Sequence, residues 1–332
     1  MRTDLRQKWT ESFFQLQARV AGELEAIDAR IERLLESDFA PINEVFGHLF
    51  SKSGKMIRPT LLLLVADREK TRTDELISLG AAIELIHTAS LVHDDSIDSS
   101  NYRRGVETLN SKWNHKTSVI IGDLLLARAF DEIARLGNLE VIQEMTRACQ
   151  YLAVGEMRQM SMEGNLQATE EEYFAFIREK TGSLFSATCA VASHLSGEDN
   201  FEQMCGFGMA FGCIFQITDD MLDYVGYTSD TGKPTGLDVR ERKMTLPLIY
   251  ALARMDEPTR QSVREVFAGH GQISDRNAEK VRLLVEAAGG IDYAWSKVVE
   301  LATQANRLLA SFPAERAAKI KELVEVIVER DR

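Results

Sequence analysis

Proline is scarce: six occur in 332 residues, and none lies between residues 60 and 233. A proline-free stretch of that length, rich in Ala, Leu, Met, Glu, Gln and Arg, favours long helices. Cysteine is scarce too. Cys149, Cys189, Cys205 and Cys213 form no CxxC pair and adjoin no paired His, which argues against a zinc site. They sit in apolar surroundings, read as small core residues, and suit a reducing cytoplasm. Basic residues are in deficit, with 39 Lys and Arg against 51 Asp and Glu, a net charge of −12. A chain this acidic lacks the footprint that phosphate backbones require, so no nucleic-acid partner is expected. MRTDLRQKWTESFF contains no apolar core of a signal peptide, and apolar blocks such as 61–66 are too short to cross a bilayer. The expectation is a soluble, cytoplasmic protein without a membrane span. No GxxxxGK[ST], HExxH or GxSxG occurs, which removes the P-loop, zinc-protease and serine-hydrolase readings.

What is present is an ordinary globular balance, 45% apolar and 27% charged. Apolar residues recur at three and four. Phe13, Leu16, Val20, Leu24, Ile27, Ile31 and Leu34 form one stripe with charges on the other faces. Alternating strand-like runs are scarce. The pattern predicts an all-α fold, with long helices over about 73–96 and 201–225 and a break at 197–200. SSNYRRG reads as a loop or frayed helix end. The segment 227–238, with Gly232, Pro234 and Gly236, reads as a loop. No composition shift marks a linker, so residues 1–332 are read as one domain.

One approximate duplication carries the chemistry. LVHDDSIDSS supplies Asp94, Asp95 and Asp98; FQITDDMLDY supplies Asp219, Asp220 and Asp223. Both are DDxxD. Residues four apart share a helix face, so Asp94 pairs with Asp98 and Asp219 with Asp223. Each cluster follows an apolar helical run and so falls at a helix C-terminus, whose partial negative charge disfavours carboxylates. Crowded carboxylates also raise one another's pKa. A single DDxxD on an acidic chain is usually a solvated face. Two, each closing an apolar run, call for a counter-charge, and Mg²⁺ held by carboxylates plus ligand phosphates is the natural one.

Cations occur in short motifs. GKMIRP contains Gly54, Lys55 and Arg58; NYRRG contains Arg103 and Arg104; REKTG contains Lys180 and Thr181. GKPTGLD and ERKMT add Lys233 and Lys243. Singly each reads as a surface charge. Together they suit a pocket for two phosphorylated groups, with Arg and Lys clamping the oxygens directly.

The ordered set GKxxRP, HxxxxxHDDxxDxxxxRRG, KTG, FQxxDDxxD and GK with a downstream Lys resembles the trans-isoprenyl diphosphate synthases, or polyprenyl synthetases. The resemblance spans more than half of the chain, from GKMIRP to ERKMTLP. It implies a single all-α domain of long helices around a deep central cavity, usually a homodimer. The implied reaction joins isopentenyl diphosphate to an allylic diphosphate and releases pyrophosphate, with Mg²⁺ as cofactor. By resemblance, Asp94, Asp95, Asp98, Asp219, Asp220 and Asp223 hold Mg²⁺ around the allylic diphosphate. Arg103, Lys180, Thr181, Gln216, Lys233 and Lys243 contact that diphosphate. Gly54, Lys55, Arg58, His87 and Arg104 hold isopentenyl diphosphate. Two departures stand out: DDSID, where the family commonly has two aliphatic residues between the acids, and Arg242, where glycine is common.

The resemblance also implies that the growing chain descends along the helix of Asp94, walled by Ala89 and Ser90, then Ile86. Short-chain relatives carry aromatic rings one turn before the acids. Ala89 and Ser90 leave that level open, so the expected product is an all-trans polyprenyl diphosphate longer than farnesyl, of the kind that makes quinone tails. The alternatives are a synthase of farnesyl or geranylgeranyl length, a terpene cyclase of the same helical class, or a regulatory subunit of a two-component synthase.

Overall fold

A computed structural model of the chain describes residues 2–52, 54–225, 236–269 and 273–329, with side chains from residue 10 onward. Among the described residues the only strands are Tyr102–Arg103 and Val106–Glu107, one antiparallel pair; all other regular structure is helical. The expected helices are Thr73–Ile97 and Phe201–Val225. The described prolines mark helix starts: Pro41, Pro247 and Pro258 occupy the first or second position, Pro59 the third of Ile57–Val65, and Pro313 the N-cap. There the missing N–H has no helical partner to lose.

The chain forms two compact units, one of Gln15–Cys149 and Ala187–Cys205, the other of Met1–Phe14, Gln150–Ser186 and Gly206–Arg332.

In the first, Thr73–Ile97 packs chiefly on the helix His115–Arg135, and also on Ala21–Leu35 and Ile57–Val65. Gly80 permits the second approach: a Cβ there would lie 2.6 Å from Ile27 Cδ1. The N-terminal stripe is not one helix. A 3₁₀ turn at Ala18–Val20 interrupts it, which shifts the frame so that Leu35, not Leu34, is buried. Thr73–Ile97 also corrects the reading that no apolar stretch could span a bilayer. It is long and apolar enough, with mean hydropathy 1.4 over its most apolar window. That window is 67% buried inside the protein, as befits a core helix. Its core face includes Leu79, Ile83, Leu85 and Ile86, all fully buried.

SSNYRRG differs from expectation as well. It forms a two-residue hairpin turn in which Arg104 (φ 52°) and Gly105 (φ 73°) are both left-handed. Two consecutive positive φ values match the twist of a tight hairpin. Arg104 is the costlier of the two, because its Cβ crowds the backbone there.

In the other unit, Leu246–Arg254 packs on Gly290–Leu308. Tyr250 stacks on Tyr293 at 3.9 Å and 15°, with Arg254 over the Tyr250 ring at 3.8 Å. The helix Phe201–Val225 approaches Ser183–Leu195 through glycine. A Cβ on Gly208 would lie 2.4 Å from the Phe185 carbonyl oxygen, and one on Gly212 2.6 Å from Gly182 Cα.

Candidate active site

Within the first unit, Asp94 and Asp95 lie in the last turn of Thr73–Ile97, and Asp98 caps it, its N–H donating to the Asp94 carbonyl at 2.8 Å. Asp95 is buried, whereas Asp98 is exposed. The hairpin brings Arg103 back onto Asp95, and Arg103 Nε donates to both carboxylate oxygens at 2.9 and 2.8 Å. Burial works against the Arg103 charge, but the bond to Asp95, with Asp94 and Asp98 nearby, holds its pKa above the usual value. Asp95 is thus occupied by an internal cation, while Asp94 and Asp98 share the next face. His93 turns away from the acids toward His115–Arg135. Its ring lies against Gly122, with Nε2 3.5 Å from Asp123 Oδ1.

Beside this cluster is a cavity of about 260 Å³. From Thr73–Ile97 it is lined by Glu84, His87, Thr88, Leu91, Val92 and Asp95. Lys52, Gly54, Arg103 and Arg104 line it near the hairpin, with the acids Asp28, Glu32 and Glu107 and with His48. Three of the residues expected to hold isopentenyl diphosphate, Gly54, His87 and Arg104, therefore share one cavity. Arg58 is buried and Lys55 exposed, and both fall outside that lining. Met56, between them, is left-handed at φ 52°. Burial, then the guanidinium groups of Arg58, Arg104 and Arg103, push His87 well below its usual pKa. That direction favours the neutral imidazole, which can hydrogen-bond a phosphate without adding charge. Lys52, whose Nζ donates to the Arg104 carbonyl at 3.2 Å, and Glu84 escaped the sequence reading. Neither lies in a motif; only the return of the chain brings them here.

The expected chain-length wall is on another face of the same helix. Ala89 and Ile86 are fully buried, and Ser90 is half-buried, its Oγ donating to the His87 carbonyl at 2.8 Å.

The second cluster is built within the other unit. A π-turn, Arg178–Gly182, separates the helices Glu170–Ile177 and Ser183–Leu195. Such single turns re-aim side chains. This one presents Lys180 and Thr181. Gly155 lets Leu139–Met162 pass close, since a Cβ there would lie 2.4 Å from Lys180 N. Lys180 Nζ donates to Gln159 Oε1 at 2.9 Å and pairs with Glu156. Thr181 Oγ1 donates to Gln216 Oε1, Gln216 Nε2 donates to Asp220 Oδ1, and Tyr173 OH donates to Asp220 Oδ2, each at 2.7 Å. Tyr173, fully buried, was not in the sequence reading.

Asp219 is exposed and Asp220 buried. Burial pushes Asp220 up to about 7, and Asp219 adds to the rise; the Tyr173 and Gln216 bonds and Lys243 oppose it. Asp223 is otherwise engaged. Its Oδ1 accepts from Leu237 N at 3.0 Å and its Oδ2 from Asp238 N at 2.9 Å. It caps the short helix Leu237–Arg240, which the left-handed Gly236 (φ 77°) precedes. Asp238 is a further carboxylate of the cluster, raised well above its usual pKa by burial and by Asp223, Asp220 and Asp219. Lys243 N donates to the Asp238 carbonyl at 2.8 Å, and its Nζ lies 2.7 Å from Glu241 Oε2. Arg242, the departure from glycine, is left-handed at φ 56°, where glycine would be the unstrained choice. Its guanidinium donates to the Gly269 carbonyl at 2.6 Å, and its own carbonyl accepts from Gly164 N at 2.9 Å. Lys233 lies outside the described residues.

The acids suit a hard divalent cation. Among the described residues, no three His, Cys, Asp or Glu side chains form a complete metal cage. Mg²⁺ does not need one, because it keeps waters and ligand phosphates around one or two carboxylates. Buried Asp220, drawn toward the protonated form for want of positive charge, fits that partial set.

The raised Asp220 pKa has a sign that can be checked. The folded state binds a proton that the unfolded state has released, so Asp220 contributes stability at low pH and loses it as pH rises from about 4 through about 7. Metal-free protein is expected to show a falling Tm across that window in differential scanning calorimetry, a fall weakened in Asp220→Asn. A Tm that rises across it in both proteins would contradict this account.

The polyprenyl synthetase family model matches residues 40–285. The all-trans-nonaprenyl-diphosphate synthase (geranyl-diphosphate specific) of Rhodobacter capsulatus is 35% identical over 89% of this chain and 91% of its own. A crystal structure of a decaprenyl diphosphate synthase from Rhodobacter capsulatus superposes with TM-score 0.90 at 36% identity, over 96% of this chain and 99% of that one. A polyprenyl synthase from Caulobacter crescentus CB15, complexed with calcium and isoprenyl diphosphate, also gives TM-score 0.90, at 31% identity over 96% and 98%. With the family model spanning more than half of the chain and the all-α fold matched over nearly its whole length, this chain belongs to the polyprenyl synthetase family and is a trans-prenyltransferase.

Proposed function

We propose that the enzyme condenses isopentenyl diphosphate with an allylic diphosphate to an all-trans polyprenyl diphosphate longer than farnesyl, releasing pyrophosphate. The observation that carries this reading is the cavity beside the first acidic cluster, which brings Lys52, His87, Arg103 and Arg104 together although acids also line it. Such a group of cations suits a second diphosphate, which a terpene cyclase acting on one diphosphate would not need. The names of the nonaprenyl and decaprenyl relatives support the product length.

In this reading isopentenyl diphosphate occupies the cavity, held by Gly54, His87 and Arg104, with Lys55 and Arg58 close in sequence. The allylic diphosphate is contacted by Arg103, Lys180, Thr181, Gln216, Lys233 and Lys243. Asp94, Asp98, Asp219 and Asp220 are the principal Mg²⁺ ligands. Asp95 and Asp223 join them only by giving up Arg103 and the amides of Leu237 and Asp238. Bound Mg²⁺ neutralises the charge that gathers on the departing pyrophosphate. The allylic C–O bond breaks, the isopentenyl double bond attacks the cation, and a proton leaves to pyrophosphate. Apolar walls keep out water that would quench the cation. Both units serve one catalytic domain in this proposal, and the family match runs through both. The resemblance further supports a cytoplasmic homodimer, for which half-exposed Val119 and exposed Ile120 on His115–Arg135 offer apolar surface.

The test is incubation of the purified chain with Mg²⁺, isopentenyl diphosphate and, in turn, dimethylallyl, geranyl and farnesyl diphosphate, followed by chain-length analysis. Products beyond farnesyl are expected. Cyclic hydrocarbon formed without isopentenyl diphosphate would establish the cyclase instead, and silence of the chain alone would favour a regulatory subunit.

A further inference from the structure

Tyr173 is fully buried, yet it carries a hydroxyl. Packing alone asks only for the ring, and phenylalanine would supply that without burying a polar group. The ring is firmly held. It meets Phe176 edge-on at 5.2 Å and 89°, and Phe174 at 5.7 Å and 83°. Its helix, Glu170–Ile177, is fixed at the start by a capping box, in which Thr169 Oγ1 accepts from Glu172 N and Glu172 Oε2 accepts from Thr169 N. From that base the hydroxyl reaches Phe201–Val225 and donates to Asp220 Oδ2 at 2.7 Å.

The other oxygen of Asp220 is held as closely. Gln216, one turn earlier, donates to Oδ1 at 2.7 Å, and Gln216 is itself oriented by Thr181 Oγ1, which donates to its Oε1. An ionised carboxylate has about four lone-pair sites. Tyr173 and Gln216 engage one on each oxygen, which fixes the plane of the group and the directions of the other pairs. Bonds of this kind also favour the ionised carboxylate over the protonated one. Tyr224, one turn after Asp220, is a contrast. It too is fully buried, but its hydroxyl lies 2.7 Å from Thr245 Oγ1, so it ties the helix to the start of Leu246–Arg254 rather than to an acid.

We propose that Tyr173 is a positioning residue, whose hydroxyl holds the Asp220 carboxylate in the orientation that receives Mg²⁺ at the second acidic cluster. This rests on the metal roles given under Proposed function. An outer partner of this kind aims a ligand without touching the ion, and losing one costs roughly 10- to 100-fold in metal affinity. Without the Tyr173 bond, Asp220 turns about its bond to Gln216, and part of the metal's binding energy goes into turning it back.

The test is calorimetric titration of Mg²⁺ into the full-length enzyme in saturating inorganic pyrophosphate, alongside steady-state kinetics. Tyr173→Phe keeps the ring and removes the hydroxyl. It is expected to weaken the apparent Mg²⁺ affinity roughly tenfold and to raise the half-saturating Mg²⁺ for turnover by the same factor. The KM for isopentenyl diphosphate stays within about twofold, and most of kcat returns at saturating Mg²⁺. Tyr224→Phe removes an equally buried hydroxyl next to the same cluster, and is expected to lower Tm while Mg²⁺ affinity stays within about twofold. Asp220→Asn separates the two levels of the proposal. If its Mg²⁺ affinity is unchanged, Asp220 is no ligand and the metal assignment fails. If Asp220→Asn weakens binding while Tyr173→Phe does not, the positioning role alone is overturned. Equal losses in Tyr173→Phe and Tyr224→Phe would mark a general packing role and overturn it as well. Should Tyr173→Phe not fold, Tyr173→His, with a shorter reach, decides alone: a weakening of roughly threefold or more is expected, and unchanged Mg²⁺ affinity overturns the role.

Discussion

Asp94→Ala and Asp219→Ala are each expected to lower turnover by roughly three orders of magnitude, with the helical circular dichroism signal intact. Metal-assisted stabilisation of a leaving group contributes several kcal/mol, and each ~1.4 kcal/mol is a factor of ten in rate. The fold survives because neither side chain is buried in the core: Asp219 is exposed and Asp94 half-buried. Both also lie toward helix C-termini, where a carboxylate is disfavoured. Asp223→Ala is expected to behave differently. It strips the cap from Leu237–Arg240, whose turn carries Asp238 and Lys243, so it loses stability along with rate. An N-terminal cap is worth about 1 kcal/mol. The decisive measurements are kcat at saturating substrate and Tm by circular dichroism. Turnover within tenfold of the parent in Asp94→Ala or Asp219→Ala would remove the metal roles.

Ala89→Phe is expected to shift the product from a long polyprenyl diphosphate to about farnesyl or geranylgeranyl length. Ala89 lies on Thr73–Ile97 one turn before Asp94, at the level where the resemblance places the wall of the growing chain. It is fully buried, so the ring of a phenylalanine must enter either the path of the product or the packing around this helix. Overpacking alone costs about 1–3 kcal/mol and shows as a lower Tm without a change in products. Intrusion into the product path shows as shorter chains at a nearly unchanged initial rate. Ser90→Phe, at a half-buried site whose hydroxyl bonds only its own helix, is the companion variant with less strain. Products of both variants, separated by reversed-phase chromatography, decide the matter. Distributions identical to the parent's in both would show that this helix face does not limit length.

Much of this was readable before the fold. The two long helices and both acidic motifs follow from local patterning, and Asp98 shares a helical face with Asp94 through spacing alone. Arg242 was visible as a departure from glycine, and the left-handed backbone there explains why glycine would be the easier residue. Other features were not readable. The RRG hairpin depends on Arg104 taking a conformation that its side chain disfavours. The π-turn that presents Lys180 rests on Gly155, distant in sequence. Tyr173, Asp238, Lys52 and Glu84 belong to no pattern of spacing.

Composition and periodicity by themselves determined a helical chain with two carboxylate clusters and several short basic motifs, because helices, their faces and their ends are set by residues within four of one another. Tertiary structure alone decided how each charge is used. Asp95 is spent on Arg103, and Asp223 on the amides of Leu237 and Asp238. The physical reason is that a charge takes its protonation and its partner from whatever the returning chain sets beside it, and that neighbour is remote in sequence.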